Sequence, residues 1–177
     1  MTDSGRKFYG KFQGTVVNNI DPLKQGRLQV LVPDVGSLSP STWAKPCVPL
    51  GGLQMGMYLI PPIQAGVWVE FENGDPDYPI WVGYWWGSAA EIPAIANLST
   101  PGMPVIIMQT PTQQALVISD VPIPPMLAPG IMLMSGASSI TIDATGVTIT
   151  APKVTINGAA INLTGVTNIN SGALIVT

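Results

Sequence analysis

Four apolar doublets recur every seven residues near the end of this chain: Ile140/Ile142, Val147/Ile149, Val154/Ile156 and Ile161/Leu163. A seven-residue period usually signals a coiled coil, but that needs apolar positions three and four apart. Here the two members of each doublet are two apart, which is the period of a strand. The spacers are Thr, Asn, Gly, Ala and Ser, and Gly146, Pro152, Gly158 and Gly165 are placed to turn the chain between doublets. The repeat therefore predicts a stack of short strands of one size, a β-helix.

Such a segment cannot stand alone. About forty residues with one apolar face bury too little core to offset chain entropy, and their edges stay open. Three chains wound about one axis resolve both problems. Ile140, Ile142, Val147, Ile149, Val154, Ile156, Ile161 and Leu163 then fill the axis, and every strand finds partners on other chains. A single-chain solenoid is the alternative, but its turns normally need more than seven residues.

Charge divides the chain. Residues 1–91 hold six of the seven basic and eight of the ten acidic residues, leaving only Asp120, Asp143 and Lys153 beyond. Charged residues make up 10% of the whole, against roughly 25% in ordinary soluble domains. The net charge of −3 offers no electrostatic footprint for nucleic acid. Cys47 is alone and histidine is absent, which excludes an intrachain disulfide and the commonest general base and metal ligand. The first residues lack the apolar core of a signal peptide, so assembly in the bacterial cytoplasm is expected.

The charged part predicts a small barrel. Strand-like runs fall at 14–18, 26–32, 66–72 and 79–85, of which 26–32 and 66–72 alternate polar and apolar residues, and a hairpin signal falls at Asn73-Gly74-Asp75-Pro76. A Pro- and Gly-rich stretch, 43–62, lies between the second and third runs. Several short strands with such loops suit a closed oligonucleotide/oligosaccharide-binding (OB) barrel. Alternation puts Trp68 outside with Glu70 and Glu72, fit for a protein neighbour. Lys24 and Arg27 read as charges of a solvated loop. The segment 88–103 reads as a connector, followed by apolar runs at 105–108, 115–118 and 131–134. The Pro-rich stretch 121–130 reads as an insertion packing against a neighbour.

An ordered set of short motifs carries a resemblance. It comprises Asp21-Pro22, Gln25-Gly26-Arg27, Val32-Pro33, Trp43-Ala44, Gly56-Met57-Tyr58, Ile60-Pro61-Pro62, Val69-Glu70-Phe71-Glu72 and Gly74-Asp75-Pro76-Asp77. Across residues 10–90 the chain resembles the OB domain of phage baseplate assembly protein V and of the Vgr spikes of type VI secretion. The resemblance implies an all-β protein, with an N-terminal OB-fold barrel followed by a C-terminal intertwined triple-stranded β-helix. Its expected divisions are 1–90 for the barrel and its N-terminal arm, 91–137 for linker and neck strands, and 138–177 for the spike. It implies a homotrimeric central spike of a contractile injection machine, seated in the baseplate of a phage tail or an equivalent particle.

The expected partners are a separate baseplate hub protein, since no hub domain precedes the barrel, and transiently the target membrane. With no histidine for a metal-bound tip, the apolar end Leu174, Ile175, Val176 and Thr177 is expected to be a platform for a PAAR-like tip protein. No cofactor, metal, catalytic residue or nucleic acid is expected. Asp120 is the only carboxylate between Glu91 and Asp143, so hydrolysis by paired carboxylates has no support. A β-helical tail fibre or adhesin tip is the rival reading, ahead of an OB-fold nucleic-acid-binding module.

Overall fold

The computed structural model describes residues 5–36 and 39–165. Among them there is no α-helix, and the chain is all-β. It divides into two compact units, Met1–Ile92 and Pro93–Thr177.

The first unit contains β1 (Phe12–Asn18), β2 (Gln29–Leu31), β3 (Lys45–Pro46), β4 (Gly51–Gly52), β5 (Met55–Gly56), β6 (Gly66–Phe71) and β7 (Pro79–Trp85). Five of these strands form one sheet in the order β2-β1-β6-β7-β3. Its two edges meet where Leu28 and Ala44 exchange backbone hydrogen bonds of 3.1 and 2.7 Å, so the sheet curls into a barrel. The inward-facing residues Val16, Leu28, Val30, Val67, Val69, Phe71 and Trp81 form its core. They are the apolar half of the alternating runs, as period-two patterning requires. Gly66 is needed for a close approach, because a Cβ there would stand 2.7 Å from the Trp85 ring. β4 and β5 form a separate hairpin inside the Pro- and Gly-rich stretch. Its two-residue strands had no period by which to be found.

The second unit is a meander of β8 (Val105–Gln109), β9 (Ala115–Ser119), β10 (Gly130–Ser135), β11 (Ser138–Asp143) and β12 (Gly146–Thr150). Each strand pairs antiparallel with the next, giving the order β12-β11-β10-β9-β8. The first two repeat doublets thus lie on neighbouring strands of the same chain, with Ile140 opposite Ile149 and Ile142 opposite Val147. Turn chemistry explains this intrachain pairing. Asp143 Oδ1 accepts the Thr145 N–H (2.8 Å) and hydroxyl (2.6 Å), and Gly146 takes φ +141. That closes a two-residue hairpin loop.

The stretch 121–130 belongs to the second unit. It packs against its own sheet: Ile123 and Met126 are buried in one cluster with Val117, Met132 and Ile95. Ser119 Oγ accepts the Val121 N–H (3.2 Å), and the Met126 N–H donates to the Ile123 carbonyl (2.9 Å), folding the loop back. Apolar residues among the prolines supply the cover that β8–β10 need on that side.

Candidate functional site

Cross-strand register turns the second unit's apolar residues into two columns on one face. Met108, Leu116, Leu133, Ile140 and Ile149 stand opposite one another in turn, as do Ile106, Ile118, Ile131, Ile142 and Val147. Leu116 is half-buried, and the other nine are 39–66% exposed. Fully burying such a side chain is worth about 1.5–3 kcal/mol, so a large part of that gain is still outstanding. No ionisable side chain belongs to either column. An exposed apolar surface of this extent marks an interaction site.

The opposite face is satisfied by the chain itself. Val117 and Met132 are 0% exposed beneath Ile95, Ile123 and Met126. Past them, the face continues as Ser139, Thr141 and Asp143 on β11 and Thr148 and Thr150 on β12, which water can solvate. Asp143 is held below the ordinary carboxylate range, chiefly by the Thr145 hydroxyl and backbone. Covered or polar on one side and apolar on the other, the sheet has one face left to bury.

Of the residues expected to line a trimer axis, Ile140, Ile142, Val147 and Ile149 fall in these columns. Val154, Ile156, Ile161 and Leu163 are all more than half exposed, and none belongs to a strand. Leu174, Ile175, Val176 and Thr177 lie outside the described residues. The structure adds Ile106, Met108, Leu116, Ile118, Ile131 and Leu133, which the seven-residue filter missed. They also form apolar-x-apolar doublets, but at uneven spacing and within runs apolar on both faces. Along part of the columns a groove of about 680 Å³ opens, floored by Leu116, Leu133, Ile140 and Ile149 and flanked by Val154.

The barrel offers a different chemistry. The carboxylate of Asp21, with a side chain 2% exposed, accepts N–H groups from Leu23 (3.0 Å), Gln25 (2.7 Å) and Arg27 (3.2 Å). It also takes the Arg27 guanidinium at 2.6 and 3.1 Å. The guanidinium is the main reason its pKa lies far below the usual range, with the backbone donors adding to the effect. Arg27 is therefore no solvated loop charge: it knots its loop and lies over the Trp43 ring.

The five tryptophans do not make a shared stacking surface. Trp81 is buried with its Nε1 donating to the Gly26 carbonyl (3.0 Å), and Trp85 donates to the Val67 carbonyl (3.2 Å). Trp68 is half-buried on the outer side, where Glu70 pairs with Lys11 and Glu72 with Lys45. Among the described residues no group of His, Cys, Asp or Glu could hold a metal ion.

Two family models match this arrangement. Residues 12–86 match the type VI secretion system/phage-baseplate injector OB domain. Residues 105–175 match the phage baseplate V C-terminal trimerisation domain. The matches together span most of the sequence and support a likeness to the phage baseplate V and type VI secretion injector proteins, in an OB domain first and a trimerisation domain after it. The second match supports a homotrimer, and the columns of the β8–β12 sheet lie within its span. The pair supports a structural role in the baseplate of a virion or injection particle. No curated protein matches the chain.

Proposed function

We propose that three copies of this chain form the central spike of a contractile injection machine, which punctures the target envelope when the sheath contracts. The observation that carries the reading is the exposed apolar face of the β8–β12 sheet, inside the segment that matches a trimerisation domain. Three such faces turned to one axis bury one another and leave hydroxyl-rich strands and loop-covered sheets outside. Ile140, Ile142, Val147 and Ile149 meet there, with Val154, Ile156, Ile161 and Leu163 continuing the axis. The mechanism is mechanical: a hydrogen-bonded β-structure carries compressive load, and puncture makes or breaks no covalent bond.

The same reading assigns a separate hub protein to the barrel, a PAAR-like tip protein to Leu174–Thr177 and a transient membrane contact to the advancing end. It divides the chain by role into barrel, linker with neck strands, and trimeric spike at 1–90, 91–137 and 138–177. Light scattering of the full-length protein tests the foundation: a particle of three 18.6 kDa chains is expected, and a monomer overturns the reading. Imaging of the whole particle tests the place. One trimer on the tail axis is expected, whereas several peripheral copies would indicate a fibre or adhesin.

A further inference from the structure

The barrel core is complete within one chain, but part of the barrel's surface departs from its charged character. Between Lys45 and Glu70 the sequence holds no Asp, Glu, Lys or Arg, and this stretch carries the β4–β5 hairpin. Leu53 at the hairpin tip is 97% exposed, and Leu50, Met55 and Tyr58 near it are 49–63% exposed. The β1–β2 loop adds Ile20 and Leu23, at 80% and 61%. The loops adjoin one another. The Asn19 side-chain amide donates to the Pro61 carbonyl (2.9 Å), and a Cβ on Gly26 would stand 3.5 Å from the Tyr58 ring. The hairpin is tied to the same segment, with the Met57 N–H donating to the Leu50 carbonyl (3.0 Å). Asp21 and Arg27 of the β1–β2 loop engage each other, which leaves Lys24 as that loop's remaining charge. The result is an apolar patch on an otherwise charged unit, and such a patch marks a contact site.

The occupant follows from tethering, charge and symmetry. Ile95 is packed in the core of the second unit, so only residues 87–94 join the barrel to a unit that matches a trimerisation domain. Those eight residues reach about 30 Å at most. Three barrels tied so closely to one trimer stand at millimolar effective concentration or above. Each copy carries a net charge of −3, and like-charged copies approach with least repulsion where charge is absent. Contacts between permanent copies are also more apolar than those between proteins that meet and part. In a closed threefold ring each contact joins two different surfaces of adjacent copies. The hairpin half of the patch therefore meets the other half on the next barrel.

We propose that the barrels of the trimer form a ring of their own, in which Leu53 and Met55 of each hairpin seat against Ile20, Leu23 and Tyr58 of the next barrel. This rests on the threefold reading given above and adds to it a second contact, separate from the columns of the β8–β12 sheet. The ring does what the columns cannot. It fixes the barrels against one another, so that they act as one threefold base instead of three modules moving on linkers.

Hydrogen exchange read by mass spectrometry on the full-length protein tests the ring. Amides at 20–25 and 50–58 are expected to exchange at least roughly tenfold more slowly in the wild-type trimer than in the monomeric Ile149→Asp variant, whose substitution lies in the other unit. Equal rates overturn the proposal and leave the patch to a different protein. A monomeric wild type overturns the trimer itself.

Leu53→Asp supplies a measurement independent of how Ile149→Asp behaves. At 97% exposure Leu53 touches almost nothing of its own chain, so a response elsewhere in the barrel must come from a neighbouring copy. The trimer mass should persist, held by the second unit, while exchange at 20–25 rises at least roughly tenfold over the wild-type trimer's rate. A trimer whose 20–25 amides ignore the substitution overturns the proposal.

Discussion

The two units handle apolar residues in opposite ways. The barrel closes on itself: Val16, Leu28, Val30, Val67, Val69 and Trp81 point to one interior, and charges such as Lys45 and Glu72 occupy the outside. The second unit is an open sheet almost without charge: one face is apolar and bare, and the other is covered by its own loop or carries hydroxyls. A closed sheet can complete its core within one chain, whereas an open sheet with a bare apolar face needs a cover from outside the chain. The comparison separates what this protein does by itself from what it does only as an assembly.

The most damaging change should fall on the open face. Ile149→Asp places three carboxylates together on the seam, and an unpaired buried charge costs several kcal/mol per ion. Light scattering should show a monomer, while the barrel stays folded. Thr148→Asp, one residue away on the solvated face, should leave the trimer intact. A trimer that survives Ile149→Asp would erase the contrast between the units.

Leu28→Ala is the counterpart inside the barrel. Leu28 is 0% exposed, and removing such a side chain costs about 2–5 kcal/mol. All five tryptophans lie between 43 and 86, so their fluorescence during urea unfolding reports the first unit alone. The midpoint should drop sharply while the trimer mass persists below the transition. Loss of the trimer in the same step would mean that the units do not behave separately.

How much of this was legible in the sequence depended on whether a strand had one apolar face or two. The run at 66–72 alternates, so both the strand and its inward residues could be read, whereas 79–85, apolar nearly throughout, gave the strand but not the inward place of Trp81. The runs at 105–108, 115–118 and 131–134 also proved to be strands, but with both faces apolar their phase was open. Ile118 and Val117 look alike in sequence, yet one is exposed and the other buried. Only the cover supplied by Ile123 and Met126 distinguishes them, and a Pro-rich loop carries no periodic signal of where it will pack. The Asp21–Arg27 knot was hidden for a related reason: its six-residue span closes only because Gly26 takes φ +76 and backbone donors converge on one carboxylate.

That knot gives a smaller effect with a definite pH signature. Asp21 has a depressed pKa in the folded barrel, so it binds protons more weakly there than in the unfolded chain, where about 3.9 is usual. Its stabilisation is present above about pH 4 and is lost as the pH falls toward the depressed folded value. Asp21→Asn should lower the tryptophan-detected urea midpoint at neutral pH, by less than Leu28→Ala. The variant should also lose less further stability below about pH 4 than the wild type, because the titrating carboxyl is gone. Parallel acid profiles for the two proteins would show that the knot contributes nothing to the barrel.

The smallest effect is expected where the barrel's charges face water. Lys45 and Glu72 approach to 2.7 Å, but their side chains are 61% and 38% exposed. Water and salt screen such a pair, and holding two long side chains in place costs entropy. Lys45→Ala should shift the urea midpoint by a small fraction of the Leu28→Ala effect, with the difference shrinking as salt is added. The trimer mass should not change, because the seam needs no charge from the first unit. A loss of trimer on Lys45→Ala would show the barrel's polar exterior to be part of the assembly surface, and the division between a self-sufficient unit and an open one would have to be redrawn.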